Sequence, residues 1–91
     1  MDIRDLTWDD WNESHIASHG VLRSEAEDVA FAKRSLGVRV GRRRYRLIGQ
    51  TAEGRYLAIF VDSVGRGSFY VITARDATDA ERRRLHSWHG R

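Results

Sequence analysis

The stretch Tyr56-Leu57-Ala58-Ile59-Phe60-Val61 decides the fold, because it is apolar at both odd and even positions. Successive side chains of a strand point to opposite faces, so this run predicts a strand in the middle of a sheet, buried on both sides. Helices must then cover at least part of each face, or one face must meet a partner molecule. The flanking segments therefore determine which surface remains for function.

Two more segments rich in β-branched and aromatic residues lie on either side of this strand, at 38–48 and at 69–74. The short connections Ala52-Glu53-Gly54 and Gly65-Arg66-Gly67-Ser68 are typical of hairpin turns. With a weakly indicated first strand within 2–8, they predict an antiparallel sheet of three to five strands.

Helix starts are indicated by a Ser or Thr followed three residues later by an acidic residue, the pattern of a capping box. This pattern occurs at Thr7 with Asp10, Ser24 with Glu27, and Thr78 with Glu81. We expect the first helix to end at His19-Gly20, the second near Lys33-Arg34, and the third near Trp88. The element order predicts one α+β domain spanning 1–91, with two N-terminal helices, the sheet and a C-terminal helix.

The net charge of +3 hides a strong asymmetry along the chain. Up to Leu36 there are 4 bases and 8 acids, and after it there are 12 bases and 5 acids, so the two parts carry −4 and +7. Codon usage can explain a preference for arginine, but it does not explain clustering. The asymmetry predicts a basic surface in the second part, suited to RNA or to an acidic protein.

Several classes of site are disfavoured by the composition. The chain has no cysteine, which excludes disulfides, thiolate nucleophiles and cysteine-ligated metals. It carries neither a Gly-x-Ser-x-Gly elbow nor a phosphate-binding glycine-rich loop. His15 and His19 have a metal-binding spacing but no evident third ligand, so we expect no metal and no cofactor. No apolar run is long enough to cross a membrane, and we expect a cytoplasmic protein without a membrane partner.

The strand predicted over 41–51 carries three arginines in alternation: Arg42, Arg44 and Arg46 share one side, and Tyr45 lies on the other. Their spacing of about 7 Å is close to one phosphate step of a nucleic acid, and guanidinium binds phosphate in a bidentate manner. The alternative is a solvated strand edge whose charges prevent aggregation. Arg75, at the junction of a strand and the last helix, could bind phosphate or pair with Asp76 or Asp79.

Taken together, several motifs resemble the BrnT toxin family in order and spacing. They are Trp8-Asp9, His19-Gly20-Val21, Arg44-Tyr45 with Ile48-Gly49, Ile72-Thr73-Ala74-Arg75-Asp76-Ala77-Thr78, and Glu81-Arg82-Arg83. The resemblance implies a RelE-like α+β fold and a bacterial ribonuclease toxin of a type II toxin–antitoxin system. It also implies a ribbon-helix-helix antitoxin of the BrnA type as partner, in a complex compatible with a heterotetramer.

The resemblance further implies metal-independent RNA cleavage. In such a reaction a base deprotonates the ribose 2′-hydroxyl, arginines stabilise charge on the phosphate, and an acid protonates the leaving 5′-oxygen. Matching residue by residue, we expect Arg44 and Arg75 to bind phosphate, with Tyr45 or His19 transferring protons. Further RNA contacts are expected from Arg42, Arg46, Arg82 and Arg83.

The chain departs from the family pattern at two positions. Ser18 stands where relatives often have a basic residue, and Arg43 stands where they often have an acidic one, which removes one candidate base. The alternative function is therefore a non-catalytic module with the same fold that binds RNA or an antitoxin. Such a module would bind RNA in a salt-dependent way and leave it intact.

Overall fold

A computed structural model describes residues Met1–Gly90 and shows an α+β fold. The elements, in chain order, are β1 (Asp5–Thr7), α1 (Asp10–Ser18), α2 (Arg23–Phe31), β2 (Leu36–Arg39), β3 (Arg44–Gln50), β4 (Tyr56–Gly65), β5 (Ser68–Asp76) and α3 (Asp79–His89). The predicted order of two N-terminal helices, a sheet and a C-terminal helix is confirmed. Within Met1–Gly90, no helix is long and apolar enough to cross a membrane.

The five strands form one sheet in the order β1-β5-β4-β3-β2. As predicted, β4 is the central strand, and its Leu57, Ala58, Ile59 and Val61 are fully buried. Strands β2 to β5 are antiparallel, but β1 runs parallel to β5, so the sheet is mixed rather than entirely antiparallel. The parallel pair arises because the chain returns to β1 only after two helices and three strands.

The two faces of the sheet are covered unequally. Helices α1 and α2 pack against one face and bury the main core, which includes Ile16, Val29, Leu47, Ile59 and Val71. Helix α3 contacts β3 on the other face, where Leu85 is buried and where the paired residues Ile48 and Ala58 point. Because α3 covers only part of that face, the remainder is accessible.

We call this remainder the open face. Strand register places on it side chains that are exposed or half-buried and mostly polar or aromatic. They are Arg44, Arg46, Phe60, Asp62, Tyr70, Thr73 and Arg75.

The predicted start of α3 is confirmed, whereas those of the other two helices are shifted. Helix α1 is capped by Asp9 rather than Thr7, because Thr7 belongs to β1. The fully buried Asn12 completes this cap, and its amide also donates to the carbonyls of Thr7 and Val71, each at 3.0 Å. One side chain thus joins α1 to both strands at this edge of the sheet.

Helix α2 begins after Leu22, two residues before the predicted cap at Ser24. The Glu25 carboxylate accepts the Leu22 N–H at 2.9 Å and also pairs with Arg55 at 3.1 Å. The tertiary ion pair therefore supports the earlier start.

Candidate functional site

The group of charges with the most buried carboxylate on the open face is a glutamate shared by two arginines, which we call the Glu81 cluster (Arg46, Arg75 and Glu81). Arg75 donates to Glu81 in a bidentate manner, with Nη1–Oε1 at 2.7 Å and Nη2–Oε2 at 3.1 Å. Arg46 approaches the same carboxylate, with Nη1–Oε2 at 3.3 Å. The side chain of Glu81 is only 5% exposed, against 23% for Arg46 and 40% for Arg75. The carboxylate is hidden, while its arginines reach the surface.

Three different elements bring the cluster together. Arg46 lies on β3 opposite Phe60 of β4, and Arg75 lies on β5 opposite Ala58 of β4, so the two arginines flank the central strand. Glu81 lies in the first turn of α3 and contacts both arginines from there. The guanidinium of Arg75 also lies 5.4 Å from the centre of the Phe60 ring, which further limits its movement.

The predicted helix cap holds the cluster in place. Thr78 Oγ1 accepts the Glu81 N–H at 3.2 Å, and Glu81 Oε1 accepts the Thr78 N–H at 2.8 Å. Beyond closing the cap, the Glu81 carboxylate also binds both arginines. The alternative that Arg75 pairs with the carboxylate of Asp76 or Asp79 is wrong, since Arg75 pairs with Glu81 and reaches only the backbone carbonyl of Asp76, at 3.1 Å. The Asp76 carboxylate pairs instead with Arg55 at 2.9 Å.

The cluster is positively charged overall and stays so at neutral pH. Burial alone would raise the pKa of Glu81, but hydrogen bonds from Arg75 and the Thr78 backbone, with the charges of Arg75 and Arg46, lower it below the ordinary 4.5. One negative charge therefore faces two positive ones. Arg84 and the first turn of α3 join these residues in lining a cavity of about 310 Å³. The helix N-terminus adds partial positive charge to the same cavity.

A second basic group lies at the other end of the open face. Arg44 donates to Asp62 at 2.7 and 3.1 Å across the β3–β4 pair, and this bond lowers the pKa of Asp62. Arg42 and Arg43 are exposed in the preceding bend, and together these four residues line a shallow cavity of about 310 Å³ with Val40 and Gly41. We call Arg42, Arg43, Arg44 and Asp62 the bend group.

The predicted ladder of three arginines is wrong in one respect. The N–H groups of Val40 and Gly41 both donate to the Arg44 carbonyl, at 2.9 and 3.2 Å, and close a turn. Strand β3 therefore begins at Arg44, and only Arg44 and Arg46 alternate along the open face. Arg42 lies in the bend, where its carbonyl accepts from Arg39 at 2.6 Å.

The two candidates for proton transfer lie in different places. Tyr45 lies on the helix-covered face, where its ring contacts Phe69 edge to face at 5.9 Å. The structure therefore does not bring Tyr45 together with Arg44 or Arg75. His19 lies at the free edge of β5, with Nδ1 3.1 Å from the Ala74 carbonyl and 3.4 Å from Thr73 Oγ1. Thr73 belongs to the open face, so His19 borders it.

Sequence reasoning missed a tyrosine hydroxyl on the open face. Tyr70, which lies opposite Asp62, donates its O–H to the Asp9 carboxylate at 2.9 Å. This bond raises the pKa of Tyr70, and with the backbone bond from Asn12 it lowers that of Asp9. The short hairpin at 65–68 could have predicted this position, because its register pairs Tyr70 with Asp62 across β4 and β5.

The arginines of α3 point in different directions. Arg84, which was not among the predicted residues, lines the cavity of the Glu81 cluster. Its position three residues after Glu81 was the available signal, since residues i and i+3 share a helix face. Arg82 lies over the Tyr56 ring, 4.3 Å from its centre, and Arg83 is exposed.

Ser18, the other departure from the family pattern, is exposed at the end of α1, where its hydroxyl donates to the His15 carbonyl at 2.6 Å.

Within Met1–Gly90, no group of three or more His, Asp or Glu side chains is placed to hold a metal ion.

The comparisons with known proteins concern the fold. No protein-family model matches the sequence, and no curated protein matches it. Among solved structures, the chain is similar to the Brucella abortus ribonuclease toxin BrnT, with a TM-score of 0.65 and 22% sequence identity. The match covers 82% of this chain and 97% of that one. The resemblance to BrnT found in the sequence is thus confirmed for the fold: the chain has the α+β architecture of BrnT.

Proposed function

We propose that this protein is a toxin that cleaves RNA on its open face without a metal ion, and that the Glu81 cluster binds the scissile phosphate. One observation carries the proposal: two arginines held by one buried carboxylate leave a fixed excess of positive charge on the uncovered part of the sheet. The fold shared with a ribonuclease toxin supports it.

The cluster has the donors that phosphate binding requires. Each guanidinium carries five N–H donors, and Glu81 with the Asp76 carbonyl takes up only part of them. Arg46 Nε–H is buried without a partner, and the remaining Nη donors of Arg46 and Arg75 are available for the non-bridging oxygens of a phosphodiester. Negative charge accumulates on these oxygens when the ribose O2′ attacks phosphorus, so donors already fixed in place stabilise the transition state.

Proton transfer in this proposal falls to His19, with Tyr70 as the second candidate. A base takes the proton of the 2′-hydroxyl, O2′ forms a bond to phosphorus, and the bond to O5′ breaks as an acid protonates it. The products are a 2′,3′-cyclic phosphate and a 5′-hydroxyl. His19 borders the open face and its imidazole can act as a general acid or base, whereas Tyr45 is turned toward the core.

We further propose a ribbon-helix-helix antitoxin as the protein partner, acting with the toxin inside the cell. The three tryptophans of the chain can either complete the core or be covered by such a partner. Trp8 packs against the core, but Trp11 and Trp88 are 60% and 37% exposed. Trp88 also lines a cavity of about 680 Å³ with the exposed Met1 and Phe31, and burying such side chains would favour association.

The test is RNA cleavage by the purified chain in the presence of a chelator. We expect 5′-hydroxyl and cyclic-phosphate ends from the wild type and their loss in Arg75→Ala. Arg34→Ala, which removes an exposed arginine outside the open face, is the matched control. Circular dichroism would show that each variant is folded. Intact RNA that binds the wild type in a salt-dependent way would overturn the proposal and identify a non-catalytic binding module.

A further inference from the structure

We propose that Trp11, His15 and His19 form a stacking platform for the bases of single-stranded RNA whose phosphates lie on the open face. We call these residues the aromatic row. The inference rests on the proposed function, because it assigns the substrate a second subsite next to the phosphate-binding cluster.

The aromatic row is an ordered stack on the surface of α1. The rings of Trp11 and His15 are nearly parallel, with 6° between their planes and 4.9 Å between their centres. The ring of His15 meets that of His19 edge to face at 4.8 Å. Trp11 is 60% exposed, and among residues 1–90 it has neither a hydrogen-bond partner nor a place in the core. A large aromatic face held by its neighbour and open to solvent is what a nucleobase stacks on.

The row leads directly to the phosphate-binding cluster. His19 Nδ1 lies 3.4 Å from Thr73 Oγ1. Thr73 is paired with Phe60, and the guanidinium of Arg75 lies over the Phe60 ring at 5.4 Å. A continuous path of side chains therefore joins Trp11 at one end to Arg75 at the other.

The surrounding charges orient the strand. Helix α1 carries Asp10 and Glu13 in its first turn, and Glu13 pairs with Arg23. The carboxylate of Asp10 repels phosphates, whereas the Glu81 cluster attracts them. The sugar–phosphate backbone is therefore expected to follow the open face, with its bases turned toward α1. A double strand buries its bases in the stack and cannot present them in this way, so the platform selects single-stranded RNA.

A metal site at the two histidines does not fit the geometry. The His15 ring packs against the rings of both Trp11 and His19, and His19 Nδ1 already contacts the Ala74 carbonyl. Within Met1–Gly90 no third ligand completes a site.

The test compares binding of two uncleavable 2′-O-methyl oligonucleotides, one with bases and one of the same length with abasic positions. Replacing Trp11 by Ala should weaken binding of the first by about tenfold, because one stacking contact is lost. It should leave binding of the abasic oligonucleotide unchanged, and Trp11→Phe should restore binding. Trp88→Ala, which removes an exposed tryptophan of α3, is the matched control.

Equal affinity of wild type and Trp11→Ala for the base-containing oligonucleotide would overturn the inference. In cleavage assays, the same variant should raise KM about tenfold and leave kcat unchanged. Wild-type RNA cleavage with no effect of Trp11→Ala would reject the platform but not the ribonuclease. Base-dependent binding without any cleavage would reject the ribonuclease but not the platform.

Discussion

Arg44 and Arg46 are two residues apart on the same strand and face the same way, yet they belong to different environments. Arg44 and its neighbours in the bend group are largely exposed, and Arg44 has one carboxylate partner to itself. Arg46 is 23% exposed and shares a buried carboxylate with Arg75. The first region offers more arginines, and the second holds its arginines more firmly.

The difference shows that the number of arginines does not decide where phosphate chemistry is supported. Exposed charges are screened by water and salt, and their side chains must be ordered when a ligand binds. Arginines fixed by a buried carboxylate have already lost that freedom and lie in a less polar surrounding. The bend group is therefore suited to attracting RNA, and the Glu81 cluster to stabilising a transition state.

The largest expected effect is a difference in RNA cleavage rate between variants of the Glu81 cluster and variants of the bend group. Arg75→Ala and Arg46→Ala should each lower the rate constant for RNA cleavage by about 100-fold, because a fixed donor to the phosphate is lost. Arg44→Ala should lower it by about tenfold or less. Single-turnover kinetics measure both. A loss in Arg44→Ala as large as that in Arg75→Ala would show that the two groups are equivalent.

Stability provides the next comparison. In Glu81→Gln, two guanidiniums lose their shared negative partner and the helix cap is weakened, so the free energy of unfolding should fall by about 1–3 kcal/mol. This range is reduced for the partial exposure of both arginines. Asp62→Asn should change stability less, because its partner Arg44 is 48% exposed and water screens the pair. Urea unfolding measures the free energy of unfolding of both variants. Equal decreases would contradict the conclusion that the Glu81 cluster holds its arginines more firmly than the bend group.

The pH dependence of this stability difference follows from the lowered pKa of Glu81. Because its folded pKa lies below the ordinary 4.5, ionised Glu81 stabilises the protein above that value. The contribution is lost as the pH falls from 4.5 through the folded pKa. Unfolding of wild type and Glu81→Gln at several pH values should show the gap narrowing over that range. A constant gap would mean that the charge of Glu81 does not stabilise the fold.

The smallest effect concerns steering by the bend group. Arg42→Gln should weaken RNA binding modestly and reduce the slope of log affinity against log salt by about 1, since one exposed phosphate contact is lost. Its cleavage rate at saturating RNA should be unchanged. A drop in that rate would show that Arg42 contributes to catalysis, and the bend group would then not be limited to attracting RNA.

Part of the site could be predicted from particular residues. Alternation along β3 correctly separates Tyr45 from Arg44 and Arg46, and Thr78 with Glu81 correctly marks the start of α3. The double use of Glu81 could not be predicted, because its partners lie on two strands that are 29 positions apart in the chain (46 and 75). Local patterns describe the cap, and only the docking of α3 on the sheet brings the arginines to it.

The sequence by itself determined the α+β class, the central strand β4 and the basic character of the second part, because these depend on local periodicity, turn residues and charge counts. The tertiary structure alone decided that β1 joins β5 in parallel and that α3 leaves the open face uncovered. It also decided that Arg46, rather than the three-arginine ladder, meets Arg75 at Glu81. These features depend on contacts between distant segments, where burial and charge pairing outweigh local preference.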